Sequence, residues 1–225
     1  AQEFNRLLVA AMEDTDQGGQ CSKGVQSLFR GTLLNYLRCP EVGFEKTWEE
    51  PFYDISLDID SCESIEDSLN QYVKAEELTG DNGYKPPGHE ERQDAVKGAV
   101  FQADALPPVL QFHLKRFQYN MYSGGMSKIN KPFKFPIEIN MAPYTADSGA
   151  TKSCRYVLHG VVIHVGGAFS GHYYSYINPG CKGDWYVFDD QRVQRISEVD
   201  VLSDAHGTAS SKITAGFNPS KYGGS

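Results

Sequence analysis

The sequence has few cysteines, and they lack the spacing that a zinc site needs. Five occur in 225 residues without any C-x-x-C motif, at Cys21, Cys39, Cys62, Cys154 and Cys181. Zinc sites are normally built from closely spaced pairs of such ligands, and an odd number of cysteines gives no disulfide framework. We therefore predict reduced thiols, no metal and no cofactor, in a cytoplasmic and/or nuclear protein.

Long hydrophobic runs and an excess of positive charge are also missing. The most apolar stretch, residues 156–165, is too short to cross a bilayer. No basic segment followed by an apolar one opens the sequence, so we expect no signal peptide. The formal net charge is −8, whereas non-specific nucleic-acid binding needs clustered cations. These features predict no nucleic acid and no membrane as partner, and they favour a basic partner surface.

The composition is that of a globular protein, with 40% hydrophobic and 22% charged residues. Helical spacing and a capping-box pattern predict two longer helices, over residues 2–12 and 64–72. Period-two patterning and β-rich composition predict strands, at residues 28–38, 53–59, 109–117, 156–165, 173–177 and 185–188. We expect a loop over residues 14–23 and a short helix over 197–202. The predicted fold class is α+β, mostly antiparallel β in the second half.

The segment from residue 158 to residue 190 carries the best catalytic candidate. It contains a strand, a glycine-rich loop, a strand opening at His172 and a further strand ending at Asp189. Antiparallel neighbours bring the start of one strand beside the end of the next, so the two side chains can meet. A histidine oriented by a carboxylate is the base half of a nucleophilic triad, and Gly171 would let a substrate backbone approach. By spacing alone, however, such a pair is more often structural.

Several motifs, in order, resemble those of the ubiquitin-specific proteases, which are papain-like cysteine deubiquitinases. The histidine segment reads G-H-Y-Y-S-Y-I and is followed by W-Y-V-F-D-D. Upstream stand A-Q-E-F with L-L, L-F-R-G, L-P-P-V-L running on to L-K-R-F, and F-K-F-P. The resemblance implies that residues 1–203 form part of that catalytic domain: the end of its thumb, its fingers and its palm. Residues 204–225 are expected to form a mobile tail or loop.

The resemblance also implies roles for individual residues. His172 would be the general base, Asp189 its orienting partner, and Asp190 an adjacent carboxylate that helps to organise the site. The implied substrate-binding residues are Gln2, Glu3, Phe117, Tyr119, His164, Gly171 and Tyr173. A structural strand histidine is the alternative for His164. The implied partners are ubiquitin and ubiquitinated proteins, with hydrolysis at the C-terminal glycine of ubiquitin.

The nucleophilic cysteine has no counterpart among the five cysteines. In the family it lies upstream of the segment that begins A-Q-E-F. We reject Cys21, because it follows the helix that should come after the nucleophile and because no helix is predicted to begin there and activate the thiol. The chain is therefore expected to be a fragment that is inactive alone. A non-catalytic ubiquitin-binding or scaffolding module is the alternative function.

The fingers also depart from the family pattern. Many members bind zinc there through two C-x-x-C pairs. Here the first pair reads C-P-E-V from Cys39, and the second reads K-P-P-G from Lys85. Because one thiolate cannot complete a tetrahedral site, we expect no zinc.

Overall fold

The computed structural model of the chain describes residues 1–15, 19–121, 124–146 and 154–207. The helices in these ranges are α1 (Gln2–Asp14), α2 (Gln20–Phe29), α3 (Ile65–Tyr72) and α4 (Glu198–Ala205). The first strands are β1 (Gly31–Cys39), β2 (Phe44–Phe52), β3 (Ile55–Leu57), β4 (Glu76–Leu78), β5 (Ala95–Phe101), β6 (Phe112–Leu114) and β7 (Phe117–Asn120). The later strands are β8 (Gly125–Lys128), β9 (Glu138–Asn140), β10 (Arg155–Val157), β11 (Gly160–Gly166), β12 (Gly171–Ile177), β13 (Trp185–Asp189) and β14 (Arg192–Ile196). None of the described helices is long and apolar enough to cross a membrane.

These strands form two four-stranded sheets and three separate pairs within the described ranges. One sheet has the order β2-β1-β5-β4 and the other the order β11-β12-β13-β14, and neighbouring strands in both are antiparallel. The separate pairs are β7–β8, β9–β10 and the parallel pair β3–β6. The predicted α+β class with an antiparallel second half is confirmed.

Two compact units divide the chain. The first contains residues 1–58, 66–114 and 139–156, and the second contains residues 59–65, 115–138 and 157–225. The first unit thus holds α1, α2 and the sheet around β1. The second holds the β7–β8 hairpin, the β11–β14 sheet and α4, and both members of the predicted catalytic pair lie in it.

Helix α2 corrects two predictions. Residues 20–23 are helical rather than loop, and the strand expected from residue 28 begins only at Gly31. The local signal for this helix is weak, because its N-cap is Gly19, which offers no capping side chain, and Gly24 lies in its interior. Tertiary packing stabilises this helix although its own sequence favours it only weakly, since Val25 is buried and α2 contacts α1.

Two predicted strands are divided in the structure. The stretch 109–117 contains only the short β6 before a break, and β7 begins at Phe117. The stretch 156–165 divides into β10 and β11, with two residues between them. At this second break the backbone N–H of Leu158 donates to the carbonyl of Ile137 at 2.7 Å. Because this N–H bonds Ile137, it does not join the ladder of β11 and β12, and the predicted strand is interrupted there.

Helix α4 packs on the β11–β14 sheet and completes the core of the second unit. Tyr176, Trp185 and Val201 are at most 1% exposed and form its centre. The indole N–H of Trp185 donates to the carboxylate of Glu198 at 3.3 Å. Ser197 caps the helix by accepting a hydrogen bond from a backbone N–H in its first turn. The face of β12 that contains Tyr176 is therefore held against a fixed helix.

The predicted boundary after residue 203 falls inside α4. The helix continues to Ala205, and His206 is itself bonded to the second unit. The backbone N–H of Phe133 donates to the carbonyl of His206 at 2.9 Å, and the N–H of Phe135 donates to its imidazole at 3.1 Å. The ordered part therefore extends at least to residue 207. Residues 208–225 lie outside the described residues, so their mobility stays a prediction.

Asp54 anchors the start of α1 within the first unit. Its side chain is 5% exposed and accepts two hydrogen bonds from Arg6, at 2.6 and 2.8 Å, and one from Gln2 at 2.7 Å. Burial alone would raise the pKa of Asp54, but the hydrogen bonds from Arg6 and Gln2 outweigh burial and lower it. A carboxyl with a lowered folded pKa stabilises the fold above its unfolded pKa, and this contribution is lost as pH falls through the folded value.

We predict that Asp54→Asn lowers the free energy of unfolding at pH 7 by about 2 kcal/mol, because a buried, bidentate charge pair is lost. The difference from the unsubstituted chain should shrink below about pH 5, where the carboxyl of the unfolded chain begins to take up protons. Urea unfolding at pH 7 and pH 3 measures both effects.

The matched control is Glu45→Gln. It breaks the Arg38–Glu45 pair, whose side chains are 54% and 53% exposed. We expect it to cost less than about 0.5 kcal/mol at either pH. A loss for Asp54→Asn no larger than for Glu45→Gln would show that Asp54 is not an anchor.

Candidate active site

His172 is the second residue of β12, and Asp189 is the last residue of β13. The two strands pair up to Ser175–Phe188, one residue before Asp189, so the start of β12 lies beside the end of β13. The Nε2 atom of His172 lies 2.5 Å from Oδ1 of Asp189. Their side chains are 18% and 34% exposed. The predicted contact between the two residues is confirmed.

This hydrogen bond fixes which nitrogen of His172 can act as a base. A carboxylate can only accept, so the proton of the neutral imidazole lies on Nε2, facing Asp189. The lone pair of the ring is then on Nδ1. An imidazole held in this way can take up a proton at Nδ1 while Asp189 stabilises the resulting charge.

Asp190 follows in the left-handed region of the backbone, with φ of 50°, and its side chain is exposed. An oxygen of its carboxylate, one of Asp189 and a ring nitrogen of His172 all lie within 4.8 Å of one another. Such a group could hold a metal ion, and it is the only one among the described residues with three possible ligands so close. Exposed acidic groups commonly have this arrangement without a metal, and His172 already uses Nε2 to bond Asp189.

A second cluster brings together four of the predicted substrate-binding residues. The ring of His164 lies 5.3 Å from that of Phe117 and 4.7 Å from that of Tyr173, measured between centroids. Phe117 and Tyr173 are 36% and 47% exposed, so the cluster has an aromatic surface facing solvent. Tyr119 is 59% exposed and lies two positions from Phe117 on β7, hence on the same face of that strand.

Gly171 belongs to this cluster together with His164, Phe117 and Tyr173, because it lies directly against the ring of His164. A Cβ there would lie 2.2 Å from Nε2 of His164 and 2.4 Å from the carbonyl oxygen of Val165. The space over this glycine is therefore filled by the protein's own histidine. The absence of a side chain allows His164 to pack here, and a part for Gly171 in substrate binding stays a prediction.

His164 is held as a neutral ring. Burial, and then the nearby positive charge of Lys128, lower its pKa. Its Nδ1 atom is buried with no hydrogen-bond partner, so a proton there would have no acceptor. Protonation is disfavoured on both counts, and His164 is poorly suited to be a second base.

Gln2 and Glu3 lie in the first unit, on the first turn of α1. The amide of Gln2 donates to Asp54 at 2.7 Å and to Ser56 at 2.9 Å, so both of its N–H groups serve the fold of that unit. Glu3 is exposed. Their part in binding a substrate stays a prediction.

Two groups around the site were not foreseen from the sequence. Asp204 on α4 accepts hydrogen bonds from the hydroxyls of Tyr174 and Tyr176 at 2.5 and 2.8 Å. Burial and the bond to Asp204 raise the pKa of both tyrosines. Lys128 donates to carbonyls at the end of β11. The alternation of His172 with the two tyrosines was a usable signal for the first group, but nothing local indicated the second.

The fingers position does not provide ligands for zinc. Cys39 is fully buried in an apolar cluster with Leu37 and Ala95, and burial raises the pKa of its thiol. Phe44 and Tyr84 pack on this cluster with their rings stacked at 5.7 Å. A single protonated thiol among apolar side chains is a poor metal ligand. Hydrophobic packing occupies the place where a zinc site would need three further ligands.

One reason given for rejecting Cys21 is wrong. The structure begins a helix at Gln20, so Cys21 does lie in the first turn of α2. Its thiol is 3.6 Å from the carbonyl oxygen of Met12 and donates to it. Among the other cysteines, Cys39, Cys62 and Cys154 are buried, and none of the five forms a disulfide.

The described geometry agrees with comparisons to known proteins. The family model for ubiquitin carboxyl-terminal hydrolases matches residues 1–213. The chain therefore belongs to the ubiquitin carboxyl-terminal hydrolase family, and its relatives are ubiquitin-specific proteases, as the motifs predicted.

Its relatives include Ubiquitin carboxyl-terminal hydrolase 15 of Schizosaccharomyces pombe, 39% identical over 222 residues, which are 98% of this chain and 19% of that protein. Ubiquitin C-terminal hydrolase 13 of Arabidopsis thaliana is 40% identical over 212 residues, covering 92% of this chain and 19% of that protein. The chain thus spans about one fifth of the length of these curated relatives.

A similar solved structure is the SAGA DUB module Ubp8/Sgf11/Sus1/Sgf73 bound to monoubiquitin. It has a TM-score of 0.79 and 29% sequence identity, covering 91% of this chain and 46% of that chain. A second structure of that module is bound to ubiquitin aldehyde, with a TM-score of 0.76. The papain-like fold predicted from the motifs is thereby confirmed.

We predict that Gly171→Ala disrupts the site, because the new methyl group would overlap both the ring of His164 and backbone of β11. Overpacking of this kind typically costs about 1–3 kcal/mol. Urea unfolding followed by the fluorescence of Trp185, which lies in the same unit, measures it. Gly167→Ala is the control, since nothing lies within 4 Å of a Cβ at that position. Equal stability of the two variants would contradict the packing role of Gly171.

Proposed function

We propose that the protein containing this chain is a thiol-dependent deubiquitinase that hydrolyses bonds at the C-terminal glycine of ubiquitin. The observation that carries the proposal is the hydrogen bond of 2.5 Å between His172 and Asp189, in a chain whose relatives are named ubiquitin hydrolases. Asp189 orients the imidazole and can stabilise its positive charge, as the base of a nucleophilic triad requires.

In this mechanism, Nδ1 of His172 removes the proton of a cysteine thiol. The thiolate attacks the carbonyl carbon of the terminal glycine, and the imidazolium then gives its proton to the departing amine nitrogen. This leaves a thioester between enzyme and ubiquitin. A water molecule, deprotonated by the same imidazole, attacks the thioester and returns the thiol. Asp189 keeps the ring oriented and stabilises its charge in both steps.

The nucleophile in this proposal is a cysteine located N-terminal to α1. Cys181 is too distant to serve, because it lies beyond the far end of β12, and the five steps of strand from position 172 to position 177 span about 16 Å. The buried thiols of Cys39, Cys62 and Cys154 offer no access for a substrate. Cys21 is set aside because of its place along the chain after α1.

Asp190 is proposed to support the site through its charge. The aromatic cluster is proposed to support the binding of ubiquitin. The exposed rings of Phe117, Tyr119 and Tyr173 provide apolar surface for the tail of ubiquitin. Glu3 and Gln2, in the first unit, are also proposed to bind ubiquitin, since a carboxylate can pair with an arginine of its tail. The net charge of −8 favours such a basic partner segment.

Within the family, we propose that the chain is most like the herpesvirus-associated ubiquitin-specific protease. The supporting segments are L-F-R-G at residues 28–31, G-D-N-G-Y at 80–84 and L-P-P-V-L at 106–110. The absence of both C-x-x-C pairs from the fingers is a further supporting feature.

The test is steady-state hydrolysis of a ubiquitin C-terminal fluorogenic amide by the full-length protein. We expect thiol-dependent turnover, with kcat/KM reduced at least about 1,000-fold by His172→Ala and strongly reduced by Asp189→Asn, because removing a triad base or its orienting partner costs that much. His159→Ala is the control, an exposed histidine at the other end of β11, and should stay within about threefold.

Ubiquitin binding by the same variants separates the enzyme from a non-catalytic module. His172→Ala should still bind ubiquitin, as measured by titration calorimetry. Binding without any turnover by the unsubstituted full-length protein would contradict the proposed hydrolase and support the binding module.

A further inference from the structure

Lys128 provides hydrogen-bond donors to the outer edge of a sheet, at the end where His172 lies. In the described part of the chain, β11 is the end strand of its sheet, so its outward carbonyl groups have no neighbouring strand to bond. The ammonium group of Lys128 donates to the carbonyl of His164 at 2.7 Å and to that of Gly166 at 3.2 Å. One side chain thus replaces the donors that another strand would provide.

The two bonded carbonyls flank the residue that faces the catalytic histidine. In the ladder of β11 and β12, Val165 is the partner of His172. Alternate carbonyls along a strand point to the same side, so those of His164 and Gly166 face away from β12, whereas Val165 faces toward it. Lys128 therefore holds one edge of the segment whose other edge positions His172.

The place of Lys128 is itself fixed by a cross-strand pair. Lys128 on β8 is opposite Phe117 on β7. The ring of Phe117 packs on His164 at 5.3 Å, and Lys128 bonds the carbonyl of the same residue. Two different contacts from one pair therefore converge on the end of β11.

The charge of Lys128 is stabilised by backbone dipoles rather than by a counter-ion. No ion pair with a carboxylate is formed by Lys128 in the described residues. Burial, and then the nearby Arg116, lower its pKa. Both of its hydrogen bonds are charge-assisted, and such bonds are stronger than those between neutral groups.

We infer that Lys128 is a positioning residue for His172: it clamps the end of β11 and so fixes the start of β12, without touching the substrate. Its effect on catalysis rests on the proposed function. Its effect on the ladder does not, because that follows from the hydrogen bonds alone. Lys128→Met keeps the length of the side chain and removes every donor. Lys128→Arg restores donors that can reach both carbonyls.

Hydrogen–deuterium exchange of the full-length protein tests the clamp independently of activity. Lys128→Met should raise the exchange rates of amides in residues 164–173 at least about tenfold, because a local opening is no longer opposed. Exchange in α4 should stay unchanged. Lys128→Arg should restore the protection. Lys131→Met is the matched control, since Lys131 also donates to a carbonyl, that of Asp60, in the same unit.

Kinetics of the same variants test the consequence for His172. Lys128→Met should lower kcat about 10- to 100-fold with little change in KM, as expected when a base is displaced by about 1 Å. Lys131→Met should keep kcat.

Unchanged exchange in Lys128→Met, or equal effects of the two methionine variants, would overturn the inference, and so would raised exchange throughout α4. If the unsubstituted protein shows no turnover, the proposed hydrolase fails while the exchange experiment still decides the clamp.

Discussion

The hydrogen bond between His172 and Asp189 depends on the register of two neighbouring strands, β12 and β13. His172 is the second residue of β12, and Asp189 is the last residue of β13, so a slip of one position would turn either side chain to the opposite face. The distance of 2.5 Å therefore requires both strand ends to be fixed. The buried indole of Trp185 bonds Glu198 on α4 and so fixes β13 against that helix. The chemistry proposed for the site is a consequence of that fixed register.

The two faces of β12 serve different purposes. One face contains His172, Tyr174 and Tyr176, and the tyrosine hydroxyls bond the carboxylate of Asp204 on α4. This face holds β12 against the core. The other face contains Tyr173, which packs on His164 within the exposed aromatic cluster. Period-two alternation along the seven residues of β12 thus separates the side chains that bond α4 from the one in the exposed aromatic cluster.

The contact between His172 and Asp189 could be predicted from the sequence because its determinants are local. A glycine-interrupted loop, a strand beginning at His172 and a strand ending at Asp189 follow one another in the sequence. Antiparallel pairing of the two strands then brings these two side chains together. Helix α2 could not be predicted, because packing against α1 outweighs a weak cap and an interior glycine. Lys128 was missed for a similar reason: its partners are carbonyls 36 and 38 positions away, which no pattern around residue 128 indicates. Gly171 was noticed, but its role depends on His164, which only the folded register brings beside it.

The most direct measurement is covalent labelling of the full-length protein with ubiquitin that has an electrophile at its C-terminus, followed by mass spectrometry of the modified peptide. If His172, held by Asp189, is the base for a cysteine located before α1, one adduct should form on that cysteine. His172→Ala should slow its formation about 100-fold or more, the usual range for loss of a general base. An adduct on Cys21 or Cys181, or an unchanged rate in His172→Ala, would contradict the account.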